Sequence, residues 1–323
     1  MPRVSVIIPT YNCSLYLERA VESALRQTYA DREIIILDDG STDDTNSLIP
    51  QWGEKVVYLR QANAGLSTAR NNAIAGSSGE FLAYLDSDDM WYPEKLARQV
   101  EYLDAHPECG IVHSDMTIVD DDDIVLFKDF HKETGKIPAQ GALDILNYAS
   151  IQVPTVMERR SCFDAVGGFD SRLRRVEDFL HWIQVALDGH AIGYLDETLA
   201  MYRWRRSSLS KNTPAMCEAM IQALRTLIDE NSLRQRLGEP AERVARALIK
   251  SNRLTLPFHY RQQGQNKRAR QESIRLILDD PLELKAYLEL LKSCVPQNAA
   301  RLAASTNRSG TDANASSKAH LGT

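Results

Sequence analysis

Apolar positions along the first two hundred residues change period repeatedly, and the changes divide the chain into strands and helices. Arg3 to Pro9 is a short β-branched run that Pro9 stops, the pattern of a strand buried on both faces of a parallel sheet. From Leu15 the spacing turns helical, with Leu17, Ala20, Val21, Ala24 and Leu25 on one face and Ser14 placed as the N-cap. The unit repeats. Glu33 to Leu37 and Val56 to Leu59 read as strands, a short helix runs up to Gly76, and an apolar strand starts at Phe81. Tyr92-Pro93-Glu94 opens a helix whose buried stripe is Leu96, Val100 and Leu103. Beyond it, Gly110 to Ser114, Val153 to Met157 and Ala191 to Leu195 read as strands, and Met116 to Phe127 as a hairpin. Gly141 to Ala149 and the stretch from Phe179 to Gly189 read as helices. Strands alternating with helices predict an α/β domain, in which ligands bind beyond the carboxyl ends of the strands.

After Thr213 the strand signals stop. Met220, Ile221, Leu224 and Ile228, then Val244 and Leu248, then Leu284, Leu288, Leu291 and Val295 follow helical spacing. The expected division is therefore an α/β domain at 1–212, a small all-α region at 213–295 and a disordered tail at 296–323, where large apolar residues are almost absent. Asn266 to Leu278, with Lys267, Arg268, Arg270 and Arg275, has the amphipathic character of a helix that lies on an anionic membrane, or packs in a bundle or homodimer.

Charge and length narrow the function classes. A net charge of −6 on 323 residues argues against a nucleic-acid binder, since phosphate neutralisation needs a concentrated basic face. No apolar run reaches the roughly 18 residues of a spanning helix, and the N-terminus is a strand pattern without the shape of a signal peptide. The expected location is cytoplasmic, with peripheral attachment at the inner face of a membrane as the variant. The five cysteines are odd in number and widely spaced, which suits reduced thiols and fits no zinc pattern.

The candidate chemistry sits at strand ends. Phe81 to Asp89 reads Phe-Leu-Ala-Tyr-Leu-Asp-Ser-Asp-Asp, an apolar strand breaking into three carboxylates within four residues. Side chains at i and i+2 of an extended chain leave on one side, so Asp86 and Asp88 point together. Such a pair suits Mg²⁺ or Mn²⁺ shared with a phosphorylated ligand, although an acidic cluster after a strand is also what a solvated turn looks like. Thr10, Tyr11 and Asn12 follow the first strand. Asp38-Asp39-Gly40 ends the second, where Asp39 is either an acceptor for a base or ribose hydroxyl or part of a helix-capping loop. Arg70 is a cation placed for a diphosphate, or a solvated helix residue. Glu177 and Asp178 open a helix, whose dipole favours an ionised carboxylate able to act as a base, and a first-turn acid is the plain alternative. Tyr202 to Ser210 forms a cationic, aromatic loop able to cover a phosphate or stack on a sugar. Asp120 to Asp123 lacks the glycine and distal glutamate of a calcium loop and reads as a solvated turn.

Taken together, Val4-Ser5-Val6-Ile7-Ile8-Pro9-Thr10-Tyr11-Asn12, Asp38-Asp39-Gly40-Ser41-Thr42-Asp43, Gly65 to Asn71, Leu85 to Asp89 and Gly167 to Asp178 resemble the family-2 glycosyltransferases of the GT-A fold, over about residues 3 to 210. Each motif alone is weak; five in order are specific. The resemblance implies a Rossmann-like mixed sheet and inverting transfer of a sugar from a nucleotide diphosphate donor, usually a UDP-sugar, to an acceptor hydroxyl on a glycan, lipid-linked glycan or protein. It places Pro9, Thr10, Tyr11, Asp39, Arg70 and Asp86 in the nucleotide site, Asp88 with Asp86 on a divalent Mn²⁺ or Mg²⁺, and Asp178 as general base. Glu177, Trp204 and Arg205 become candidate acceptor or diphosphate contacts. One position departs: many relatives read Tyr-Arg-x-His late in the domain, and here Arg205 stands where the histidine would.

Two other readings compete. A strand followed by Asp-x-Asp also opens haloacid-dehalogenase-like phosphotransferases, but those carry the motif on the first strand and Thr or Val where this chain has Met90. The non-enzymatic alternative is a degenerate transferase that binds a nucleotide-sugar or glycan without turnover, and Arg205 is its support.

Overall fold

The structure is a computed structural model and describes residues 1–147, 151–205, 213–230 and 233–294. Strand β1 (Val4–Thr10) is buried throughout and pairs in parallel with β2 (Arg32–Asp38) on one side and β4 (Phe81–Tyr84) on the other, with β3 (Val57–Arg60) outside β2. Alternation explains why β1 has no polar face. Val4, Val6 and Ile8 join Leu17, Ala20, Val21 and Ala24 of α1 (Ser14–Leu25), while α3 (Leu66–Ala75) packs on β1 and β2. The single-turn α2 (Thr45–Leu48) lies between β2 and β3 in sequence.

The second half mixes strand directions. Short β5 (Met90–Trp91) and helix α4 (Lys95–Ala105) lead to β6 (Cys109–Val119), then β7 (Val125–Phe127), α5 (Phe130–Thr134) and α6 (Ala142–Leu146). β8 (Met157–Arg159) is followed by α7 (Arg160–Val166), α8 (Glu177–Leu187) and β9 (Ala191–Arg203). Among the described residues these form one mixed sheet of order β3-β2-β1-β4-β8-β6-β9-β5, with β7 paired to β6. β8 runs antiparallel to both β4 and β6, whereas β6 and β9 are parallel.

Several expected boundaries move. β6 continues from Ser114 to Val119, because β9 pairs with it along its whole length and itself runs on to Arg203. Val153 to Met157 is not a strand: Pro154 lies in a 3-10 turn over Val153–Thr155, and pairing starts only at Met157. The cap of α1 is also different. Ser14 is the first helical residue, and its backbone N–H donates to Asp43 Oδ2 at 3.0 Å from the β2 loop. The expected helix up to Ala149 is described only to Leu146, and residues 148–150 lie outside the described part.

After β9 come α9 (Thr213–Asp229), α10 (Leu233–Gln262), α11 (Asn266–Asp279) and α12 (Leu284–Cys294). The change from strand to helix at Thr213 is not the boundary between compact units. Residues 219–248 belong with 1–212, and 213–218 belong with the residues from 249 onward. In the first unit Arg172 forks onto Glu230 with two 2.8 Å hydrogen bonds, and Arg236 donates to the Leu187 carbonyl. In the second, Tyr260 donates to Glu218, and Lys250 pairs with Asp280 at 3.1 Å. Val295 and the tail at 296–323 lie outside the described residues. None of the described helices is long and apolar enough to cross a membrane.

Candidate active site

Because β1, β2 and β4 are parallel neighbours, their carboxyl ends meet at one edge. Asn12, in the left-handed region at φ 48°, ties the first two. Its N–H donates to Ser41 Oγ at 2.9 Å, and its Oδ1 accepts from the Thr42 N–H at 2.7 Å. Pro9 and Thr10 are buried behind this junction, with Thr10 Oγ1 enclosed and without a hydrogen-bond partner, while Tyr11 is half exposed. Asp39 is buried. Its Oδ1 accepts from Gln61 Nε2 at 2.7 Å and the Ala64 N–H at 2.8 Å, and its Oδ2 from the Gly65 N–H at 2.9 Å. Most of its acceptor capacity thus holds the 61–65 loop in place. Gly40 makes this possible: φ is 80°, and an added Cβ would lie 2.9 Å from the Asn63 nitrogen.

At the end of β4 the Asp-x-Asp pair meets two guanidiniums. Arg70 of α3 is 1% exposed; its Nη2 donates to Asp86 Oδ1 at 2.6 Å and its Nη1 bonds Glu177 at the start of α8. Arg205 Nη1 donates to Asp88 Oδ2 at 3.0 Å, with both side chains 25% exposed. Burial and then the Asp86 charge push the Asp88 carboxyl above its usual range, and Arg205 opposes them. Asp89 is buried beside the pair and accepts from the Arg203 N–H at 2.7 Å. Arg203 also holds the Asp88 and Asp120 carbonyls at 3.0 and 2.8 Å and pairs with Asp123. The aspartate turn expected to be merely solvated therefore anchors the end of β9 through Asp123, which Arg19 also contacts.

Asp178 is half-buried in the first turn of α8, directly after Val176, which is held left-handed at φ 53°. Its Oδ1 accepts from the Phe179 N–H at 2.8 Å. Burial, then the Glu177 charge, raise its pKa from 3.8 to about 7 against the pull of Arg70, with Asp86 adding to the rise. Tyr202 of β9 feels Asp89, Asp86, Asp88 and Asp178 together; burial first and these charges next raise its pKa. Four carboxylates from the end of β4 and the start of α8 thus act on one phenol.

Of the residues singled out by sequence reasoning, Arg70 joins Asp86 to Glu177, Arg205 pairs with Asp88, and Asp178 feels the charges of Glu177, Arg70 and Asp86. Trp204 follows β9, half exposed, with its N–H on the Val119 carbonyl at 2.8 Å. Residues 206–210 of the expected cationic loop lie outside the described residues. Cys13, which precedes α1, and Tyr16, in the first turn of α1, were not anticipated. The Tyr16 ring lies 4.8 Å from the Arg203 guanidinium and 4.7 Å from that of Arg205, and Cys13 Sγ is 3.9 Å from Arg205 Nη1.

Among the described residues no group of three or more His, Cys, Asp or Glu is assembled to hold a metal. The donor chemistry fits a hard divalent ion nonetheless. Asp86 and Asp88 are paired carboxylates whose charges repel, and Mg²⁺ commonly takes one or two carboxylates with substrate phosphates as the rest of its shell.

A family model for glycosyl transferase family 2 matches residues 5–144. TuaG of Bacillus subtilis strain 168, a glycosyltransferase named for teichuronic acid biosynthesis, is 33% identical over 216 residues, covering 65% of this chain and 82% of that protein. A glycosyltransferase of Rickettsia prowazekii is 30% identical over 190 residues, and one of Nostoc is 43% identical over 125. The chain spans only 58% and 38% of the length of those two, matching over 57% and 38% of its own. Among solved structures, Staphylococcus aureus TarS in complex with UDP-GlcNAc superposes with a TM-score of 0.59 at 19% identity, covering 90% of this chain and 79% of that one. The mannosyltransferase PcManGT of Pyrobaculum calidifontis, in complex with GDP-Man and Mn²⁺, gives 0.57 at 18% identity over 91% and 88%. At these identities the likeness shows the fold, which is GT-A.

Proposed function

This chain belongs to glycosyl transferase family 2, and we propose that it moves a sugar from a nucleotide diphosphate, in the first instance a UDP-sugar, to an acceptor hydroxyl with inversion. The observation that carries this is the joining of the Asp-x-Asp end of β4 to the acidic start of α8 through one buried arginine. The UDP-GlcNAc and GDP-Man complexes of TarS and PcManGT support a nucleotide-sugar donor, and the Mn²⁺ of PcManGT supports a divalent cation.

In this reading the nucleotide lies over the ends of β1 and β2, where Tyr11 offers an exposed ring and Asp39 fixes the loop that closes the site. Asp88 with Asp86 would hold the divalent cation, which supplies Lewis-acid stabilisation of the departing diphosphate. Asp178 takes the acceptor proton. As the acceptor oxygen bonds to the anomeric carbon, the bond from that carbon to the diphosphate oxygen breaks on the opposite face and its electron pair leaves with the nucleoside diphosphate. A base whose pKa lies near 7 is matched to this proton transfer at neutral pH. Glu177 and Arg70 hold the start of α8 against β4, and Trp204 is placed to contact sugar or acceptor.

The test is nucleoside diphosphate release from a panel of nucleotide sugars, with and without Mn²⁺, by wild type, Asp88→Ala and Asp178→Ala. Metal-dependent release from one donor, lost in Asp88→Ala, names the sugar, and adding glycan, lipid-linked or protein acceptors names the acceptor class. The Arg205–Asp88 ion pair favours one second reading, a member that binds nucleotide without turnover. Calorimetric nucleotide binding with no release in the presence of any acceptor class would establish it. Neither binding nor release would refute both.

A further inference from the structure

Both carboxylates of the Asp-x-Asp motif already have a guanidinium partner, and the two arginines are not equivalent. Arg70 is sealed inside α3, with its Nη atoms divided between Asp86 and Glu177. Arg205 stands beyond Arg203, the last paired residue of β9, and reaches Asp88 with Nη1 at 3.0 Å. Its Nε is enclosed without a hydrogen-bond partner, and its charge rests on the Tyr16 ring at 4.7 Å, a ring it shares with Arg203. The guanidinium is thus only partly satisfied by the carboxylate.

We propose that Arg205 is the resident counter-cation of Asp88, and that this guanidinium and a divalent cation are alternative partners of that one carboxylate. The proposal deepens the donor-site reading above and rests on it. A Mg²⁺-sized ion contacts a carboxylate oxygen at about 2 Å. On an oxygen already bonded by Arg205, the ion and the guanidinium would be like charges at close range in a site three-quarters shielded from water, where their repulsion is poorly screened. Asp86 can share the ion through its other oxygen, but its own guanidinium, Arg70, is sealed and fixed by Glu177 as well. Arg205 is therefore the partner that gives way, and its unsatisfied Nε offers a donor to a phosphate oxygen once it has turned from Asp88.

The experiment is a calorimetric titration with MnCl₂ alone, without nucleotide, on wild type, Arg205→Ala, Arg205→Lys, Asp88→Asn and the Asp88→Asn/Arg205→Ala double variant, each checked for folding by circular dichroism. Removing the competing charge should tighten Mn²⁺ binding roughly tenfold or more in Arg205→Ala. Arg205→Lys should stay near wild type, and both Asp88→Asn proteins should show no binding at this site. Equal or weaker Mn²⁺ binding by Arg205→Ala overturns the proposal. So does a gain that persists in the double variant, since it would then reflect general charge, or the absence of Mn²⁺ binding in every protein. A parallel UDP titration in EDTA tests the nucleotide-site reading by itself, so failure of one is distinguishable from failure of the other.

Discussion

Arg70 Nη2 lies 2.6 Å from Asp86 Oδ1, and through the other arm of the same guanidinium that aspartate is joined to Glu177, 107 residues beyond Arg70. A buried cation shared by two carboxylates is strongly destabilising to remove, because the acids are left without their partner. Arg70→Met is expected to cost about 3 kcal/mol, seen as a lower denaturation midpoint in urea. Arg70→Lys should recover little, since an ammonium cannot fork onto two carboxylates in fixed directions. An unchanged midpoint in both variants would show that the bridge carries no stability.

Asp178→Asn keeps size and polarity but cannot accept a proton. Turnover should fall by roughly 10²- to 10⁴-fold with donor affinity nearly unchanged. In the wild type kcat/KM should rise with pH along a limb centred near 7, because the carboxyl must be ionised to work. A loss of donor affinity equal to the loss of turnover would instead make Asp178 a binding group.

The same shift sets a pH dependence of stability. Asp178 would ionise near 3.8 in the unfolded chain but near 7 in the fold, so between those values the folded state binds the extra proton. Its contribution to stability is complete below the lower value and is lost as pH rises through the upper one. Relative to wild type, Asp178→Asn should therefore gain stability on going from about pH 4 to about pH 8, by on the order of 2 kcal/mol after allowance for partial exposure. Urea denaturation of both proteins across that range checks the sign.

Gly40→Ala places a Cβ 2.9 Å from the Asn63 nitrogen at a φ of 80°. The loop that Asp39 organises must shift, at about 1–3 kcal/mol, and UDP affinity should fall with it. Ser47→Ala, on the exposed face of α2, is the control expected to leave both unchanged.

Short-range pattern carried much of this molecule. The chain carrying Asp86 and Asp88 is a turn closed by the Asp89 N–H on the Asp86 carbonyl at 3.0 Å, not the extended stretch expected. The strands expected at 3–9 and 33–37, by contrast, follow to within a residue at each end from patterning that neighbouring residues dictate. The pairing partners do not. Arg205 meets Asp88 across 117 residues, and Arg203 meets Asp123 across 80, distances at which only the closed sheet decides who is adjacent. Asp123 illustrates the limit well: a run of aspartates in a hairpin reads as solvent-facing until β9 is known to end against it. Val153 to Met157 shows the other limit, since apolar composition suggested a strand where Pro154 withholds the N–H a ladder needs.

Val176 is β-branched and sits at φ 53°, one residue before the acidic pair. Backbone placed this way costs on the order of 1–3 kcal/mol and persists because its surroundings hold it. For anyone engineering the protein, position 176 is therefore a trap. Glycine there would relieve the backbone, yet it would also empty the buried space that the isopropyl group fills and loosen the aim of the carboxylate two residues on. Relief of strain is set against packing and catalytic precision at that one residue.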